Sequence, residues 1–441
     1  MGSLRNEDIV SDSIQALEAF LASNPSIEFI RFQWLDFAGV LAARVTTIPF
    51  ALSLVKGGQP LTTPSPILTA LVIDCSILLE DIEMGGDRLW PDWTSVKVCH
   101  YHPNHAQVMC FVDESGHVEG DGFRRCPRSR LLELTRETKM RHGVEFEVGT
   151  EIEFFIMEEG LQQAKMVANT YSAASLNNKY LPVIEEIVHC ITKAGISVRQ
   201  FHSEGGPGVF EISTEPLPPL QSADALVYCQ EAIKVICRKH GLHGTMFPKP
   251  FEKLTGIGLH YHLSMSQNDH ENSFLSGLLD HWKALAAFYM PNYDSYTRVR
   301  PGQQVTWGFE NRTAAIRKIR AGGRWELRAI DGTANPHLSM LAIITAGMLG
   351  LENGQELKMS DCQKIMIDKA LDEKEAKEHG VTQTMPTSLK ESLTTLRNDK
   401  ALTEKLGPAI IDKYLKLKEK ENEIFGNLTL SERKEISMRL F

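Results

Sequence analysis

The chain has 441 residues, 42% hydrophobic and 23% charged, a balance ordinary for a soluble globular enzyme and long enough for two domains. A formal net charge of -9 with no basic stripe argues against a nucleic-acid partner, but not against a small phosphate-bearing molecule held by a few arginines. The eight cysteines are scattered without a C-x-x-C pair, which fits reduced thiols in a cytosol-like compartment.

The N-terminal MGSLRNEDIV has no apolar signal core, and Asn6 stands where a myristoylation motif wants Ser or Thr. The longest apolar run, 338–351, is too short and too interrupted by glycine to cross a bilayer, so a soluble, cytoplasmic protein is expected. Residues 12–22 carry helical periodicity. SIEFIRFQWLD then alternates like a strand, turns at Ala38-Gly39 and returns as VLAARVTTI. GDRLWPDWTSVKV and AQVMCFVDE add short strands, completing a small mixed unit over 1–120. Within it, Cys99, His100, His102 and His105 of CHYHPNH resemble zinc ligands, yet no second ligand pair follows at zinc spacing. A turn around Pro103 is expected instead.

FRRCPRSRLLELTRETKMRHG should open a helix after Pro127 and a second unit over 121–441. There, strands bearing polar pairs alternate with the helices YLPVIEEIVHCITKAG and SADALVYCQEAIKVICRKHG, each closed by glycine. Beyond about residue 362 the chain reads as helical and densely charged, and a solvated helical cap is expected.

The chemistry lies in the strands. VGTEIEFF places Glu151 and Glu153 two apart, GIGLHYHLSMS does the same with His260 and His262, and GGRWELRAID with Glu326 and Arg328. Alternate strand residues share a face. Glu204 and Glu211 flank a Gly-Gly-Pro-Gly turn in FHSEGGPGVFEIS. Five carboxylates gathered on one sheet face must be protonated or neutralised by cations. Thiol-free, carboxylate-rich ligand sets suit Mg²⁺ or Mn²⁺, and five acids exceed what one ion needs. Arg298, Arg312, Arg317, Arg324 and Arg328 supply forks that fit phosphate or carboxylate, the equipment of phosphoryl transfer. Arg300 and Arg320 read as surface salt bridges.

The motifs GTEIEFF, FHSEGGPGVFEI, FPKPFEKLTGIGLHYHLS, SYTRVRPG, ENRTAAIR and RWELRAIDGTANPHL, in this order, resemble glutamine synthetase in its class I-like branch. The resemblance covers nearly the whole chain. It implies an α+β architecture: a small N-terminal β-grasp domain and a large catalytic domain whose curved antiparallel half-barrel sheet is flanked by helices. It also implies homo-oligomeric rings, a dodecamer by family, with sites between subunits. The implied reaction phosphorylates the γ-carboxylate of glutamate with ATP, and the acyl phosphate then meets ammonia or a larger amine. By the same resemblance, Glu153, Glu204 and Glu211 would ligate one metal ion and Glu151, His260 and Glu326 a second. His262, Ser264, Arg317 and Arg324 would contact the nucleotide, and Arg312 the transferred phosphoryl group. Arg298, Arg328 and Gly256 would hold the amino acid.

Three departures stand out. Gln304 replaces the glutamate that follows Pro-Gly in ammonia-using members, LTTPSPI (61–67) lacks the small domain's ammonium aspartate, and Thr255 replaces an asparagine of the substrate loop. A neutral amide neither attracts ammonium nor takes its proton, so a γ-glutamyl–amine ligase is expected ahead of an ammonia-using enzyme. A catalytically silent ring protein would have lost metal ligands. A guanidine kinase shares the chemistry but lacks the HSEGGPG and ANP motifs.

Overall fold

The computed structural model describes residues 13–73, 85–114, 121–167, 169–298, 303–319, 322–364 and 370–441. Arg300, Arg320, the 301–302 Pro-Gly, the first twelve residues and the expected boundary at 120 lie outside the described residues.

The first sheet begins with the hairpin foreseen from the alternation. Strand β1 (Phe29–Leu35) buries Ile30, Phe32 and Trp34 and pairs antiparallel with β2 (Leu41–Thr47). Gly39 takes φ +88 in the connecting turn, and a Cβ there would stand 2.7 Å from the Thr333 carbonyl oxygen. Strands β3 (Leu61–Pro64), β4 (Gly86–Pro91), β5 (Lys97–Val98) and β6 (His105–Asp113) complete it in the order β2-β1-β6-β4-β3, with β5 on β6 and β1 parallel to β6. CHYHPNH is a turn, closed by His102 N–H on the Cys99 carbonyl, and contributes to no metal-like cluster among the described residues. The seven described cysteines are buried.

The second sheet comprises β7 (Phe146–Glu158), β8 (Gln162–Gln163), β9 (Val198–Ser203), β10 (Val209–Thr214), β11 (His243–Thr245), β12 (Leu259–Met265), β13 (Trp307–Phe309), β14 (Ile316–Lys318) and β15 (Arg324–Leu327). Its order is β13-β14-β15-β12-β7-β10-β9, curled as a half-barrel and antiparallel except between β13 and β14. Helices back it. Pro127–His142 opens on proline, whose missing N–H costs nothing in a first turn, and ends at left-handed Gly143. Pro219–Lys239 begins three residues earlier than its apolar pattern suggests, because Pro218-Pro219 fixes its start. The apolar run at 338–351 becomes the helix Pro336–Glu352, buried on nearly every side against Glu271–Tyr289. No described helix is long and apolar enough to cross a membrane.

The tail departs from expectation. Its helices Leu389–Asn398, Lys400–Leu406 and Pro408–Gly426 are structural, not a solvated cap. Leu389, Leu393, Leu396, Leu402, Ile410, Tyr414 and Leu417 join the central core. Their spacing of three and four residues makes an apolar stripe that the dense charge conceals in a linear reading. Lys418 is buried 2.7 Å from Glu421, whose other oxygen accepts the Val72 N–H at 3.1 Å. This helix therefore fastens the small sheet's neighbourhood to the large unit.

Candidate active site

Strand register turns isolated pairs into a site. Glu153 faces Glu211, which faces His202, while Glu151 lies opposite His260 on one side and Ser213 on the other. His262 faces Glu326, which faces Arg317. Directly opposed residues hold their Cβ atoms about 4.5–5.5 Å apart. Long-range pairing thus assembles what the sequence scatters over more than 170 positions.

The side chains converge. His260 Nδ1 lies 3.0 Å from Glu151 and 3.6 Å from Glu326, and its Nε2 is 3.8 Å from Glu153. His262 Nε2 is 2.9 Å from the other oxygen of Glu151. Glu153 accepts the Gly258 N–H at 2.5 Å. His202 Nε2 sits 3.0 Å from Glu204 and 3.8 Å from Glu211. Three groups each bring ligand atoms within 4.8 Å of one another: Glu151–His262–Glu326, Glu151–Glu211–His260 and His202–Glu204–Glu211.

Electrostatics separate these acids. Burial alone would raise Glu151, but His260 and His262 hold its carboxyl well below the usual carboxylate range. Glu326 is buried and nevertheless lowered, chiefly through Arg328 and the two histidines. Arg328 bonds one of its oxygens and Arg317 Nη1 the other at 2.8 Å. Glu211 goes the opposite way. Burial, then the charges of Glu151, Glu153 and Glu204, push it up to about 9, against a weak Ser213 hydrogen bond. A carboxyl short of positive charge, beside oxygen and imidazole donors without a thiol, is a setting that fits a hard divalent cation.

Beside the acids opens a cavity of about 640 Å³ into which Arg312, Arg317 and Arg324 face with His262. Arg312 and Arg328 also line the smaller hollow of about 220 Å³ over the acid cluster. Asn311 anchors the Arg312 loop by donating to the carbonyls of Cys362 (2.7 Å) and Lys364 (2.9 Å).

The remaining expected residues lie elsewhere. Arg298 is buried and donates to the main-chain carbonyls of Ala329 (3.2 Å), Ile330 (2.6 Å) and Arg328 (3.1 Å), leaving its fork turned to the protein. Gly256 admits it: a Cβ there would sit 2.6 Å from Arg298 Cγ. Thr255 is exposed beside it. Gln304 binds one residue from both ends, accepting the Leu371 N–H at 2.8 Å and donating to its carbonyl at 3.3 Å. Ser264, opposite Arg324 on the neighbouring strand, lines a separate cavity with Arg136 and Pro218.

Two residues of the hollow escaped the sequence reading. His202 is the second letter of FHSEGGPGVFEI, two before Glu204, a spacing that could have marked it. Tyr171 tilts over His202 with ring centroids 4.7 Å apart and is held at φ +61, a conformation uncommon outside glycine. No local pattern announces it.

A family model described as glutamine synthetase, catalytic domain, matches residues 124–435. The chain belongs to the glutamine synthetase family. Members of the glutamine synthetase family are ATP-dependent ligases that form carbon–nitrogen bonds. The chain is 30% identical to protein FluG of Emericella nidulans, over 93% of its own length but spanning about half (48%) of that relative. It is 30% identical to the γ-glutamylpolyamine synthetase GlnA3 of Streptomyces coelicolor, covering 86% of each chain. To a glutamine synthetase of Methanocaldococcus jannaschii the identity is 28%, over 93% and 94%. A solved GmaS/ADP complex superposes with a TM-score of 0.80 at 25% identity, over 95% of this chain and 98% of that one.

Proposed function

We propose that the protein is an ATP-dependent ligase that joins the γ-carboxyl of glutamate, or a related acid, to an amine larger than ammonia through an acyl phosphate. The observation that carries this reading is the convergence of Glu151, Glu153, Glu204, Glu211, Glu326 and His260 beside a three-arginine cavity. Two or more divalent ions, Mg²⁺ or Mn²⁺, would be held by Glu153, Glu204 and Glu211 and by Glu151, His260 and Glu326, with His202 and His262 adjoining. When bound, such ions neutralise triphosphate charge. The residues do the rest. His262, Ser264, Arg317 and Arg324 hold the nucleotide, with its phosphates in the arginine cavity. Arg312 meets the transferred group, where fixed donors count most as charge develops. Arg328 orients the acid's carboxylates, and Arg298 with Gly256 and Thr255 shapes the loop beside it. Tyr171 covers the hollow and limits water, which would otherwise hydrolyse the acyl phosphate.

The nucleophile preference rests on what the pocket lacks. Gln304 offers no charge and is engaged with Leu371, and the 61–67 segment presents no aspartate. The GlnA3 match agrees with a larger amine. The match to the M. jannaschii enzyme supports the second reading, a glutamine synthetase that uses ammonia. We also read residues 1–120 as a β-grasp domain on the catalytic domain 121–441, in a cytoplasmic ring of identical subunits, dodecameric by family, with sites completed between neighbours. The parallel β1–β6 pair beside the β1–β2 hairpin supports that domain reading. The test is ATP turnover by the purified protein with glutamate and a panel of amines, products being identified by mass. Amide products from amines, with little glutamine from ammonia, are expected. Efficient glutamine formation at ordinary ammonia concentrations overturns the preference, and no turnover with any pair overturns the ligase.

A further inference from the structure

Glu310 has no part in the scheme above, yet it holds one of the guanidinium groups on which that scheme depends. Its carboxylate accepts from Arg317 Nε at 3.1 Å and from Nη2 as well, while Nη1 goes to Glu326 at 2.8 Å. Both fork positions of Arg317 that are not committed to Glu326 are therefore bound to Glu310. The two acids are unlike. Glu326 is buried and also bonded by Arg328. The Glu310 side chain is about 41% exposed and is bonded to Arg317, which lines the arginine cavity.

Its backbone is unusual too. Glu310 takes φ +51, a region that non-glycine residues seldom occupy and that collects at functional sites. Its N–H is tied to the Lys318 carbonyl at 2.9 Å, and the next residue, Asn311, is pinned to the 362–364 segment. The turn that carries Arg312 to the cavity therefore also delivers Glu310 to Arg317.

We propose that Glu310 is an internal stand-in for a phosphate group: it occupies the Arg317 fork that a nucleotide's phosphates would take, and so sets how tightly the protein holds its nucleotide. Nε and Nη2 both donate to one oxygen of Glu310, Oε2, a place that a phosphate oxygen fits equally well. A half-exposed carboxylate forms a weak ion pair and can be displaced by a multiply charged ligand, whereas buried Glu326 cannot. The idea rests on the reading of this cavity as the phosphate subsite, and the test separates the two.

The affinity of the full-length protein for ATP, ADP and adenosine is measured by calorimetry with Mg²⁺ present, for the wild type, Glu310→Gln and Glu310→Ala. Both variants should bind ATP and ADP about three- to tenfold more tightly, with adenosine unchanged because it carries no phosphate. Unchanged ATP affinity overturns the proposal. Weaker affinity overturns it as well, since Glu310 would then be a strut that orients Arg317. If wild-type protein binds neither ATP nor ADP, the phosphate subsite itself is wrong and the inference falls with it.

Discussion

Around Arg128 buried acids are matched by a buried base; on the face of the large sheet Glu211 has no arginine or lysine within ion-pair reach among the described residues. Arg128 lies 2.6 Å from Asp92 and 2.7 Å from Asp224, and His337 adds a contact to Asp224 at 2.8 Å. Burial would raise Asp224, yet Arg128 and His337 bring it down to about 2. Glu211 is faced by no arginine, its histidine His202 stands off at 3.8 Å, and burial with the neighbouring acids pushes it up to about 9. The first cluster is matched in charge from within the protein and joins the Asp92 turn to the helices of the large unit. On the proposed function, the second is completed by divalent cations. Acid count alone does not mark a site; the uncompensated remainder does.

The largest expected effect comes from removing that remainder. Glu211→Gln should cut ligase turnover at least about a hundredfold, since even outer-shell partners of metal ligands are typically worth 10–100-fold. Its melting temperature without divalent ions should hold or rise, because the cost of burying a titratable carboxyl is gone. A clear fall in ion-free stability would place Glu211 with the self-sufficient cluster. Arg128→Leu should do the reverse, costing about 3–5 kcal/mol in denaturant unfolding by stranding Asp92 and Asp224. A loss below about 1 kcal/mol would mean that the network is not structural.

A smaller effect concerns pH. Burial, opposed by the Val40 N–H, raises Asp36 from the ordinary 3.8 of an aspartate to about 8. Its folded value exceeds the unfolded one, so its contribution is complete below about pH 4 and is lost as pH rises through 8. Asp224, with its lowered value, contributes fully above about pH 4 and loses its share as pH falls through about 2. Asp36→Asn should therefore flatten the decline in melting temperature between pH 5 and 9, by an amount on the order of 2 kcal/mol. A decline as steep as in the wild type would show that other groups cause it. The smallest change expected is in Gln304→Glu. Glutamate keeps an acceptor for the Leu371 N–H but loses the donor to its carbonyl, so ammonia use should improve only a few-fold, read as KM for ammonium. No change would remove Gln304 from the nucleophile's surroundings.

Much of this was legible in the sequence because strands have a period of two: EIE, HYH and WELR each declare a shared face. The register that sets Glu153 against Glu211 and His262 against Glu326 was not, being fixed by pairing between distant segments. Nor could the partners of Gln304 and Arg298 be read, since both are main-chain groups of other segments. The C-terminal helices were misjudged because their charge is plainer in a linear sequence than the Leu389–Leu393–Leu396 stripe beneath it. His202 was overlooked inside a motif that had already been singled out.

The central claim is most directly tested by titrating nucleotide-free protein with Mn²⁺ and following bound ion by electron paramagnetic resonance, for the wild type and Glu211→Gln. At least two saturable ions per chain are expected in the wild type, with at least one lost in the variant. A wild type that takes up no ion, or a variant that binds as many as the wild type, would contradict the account.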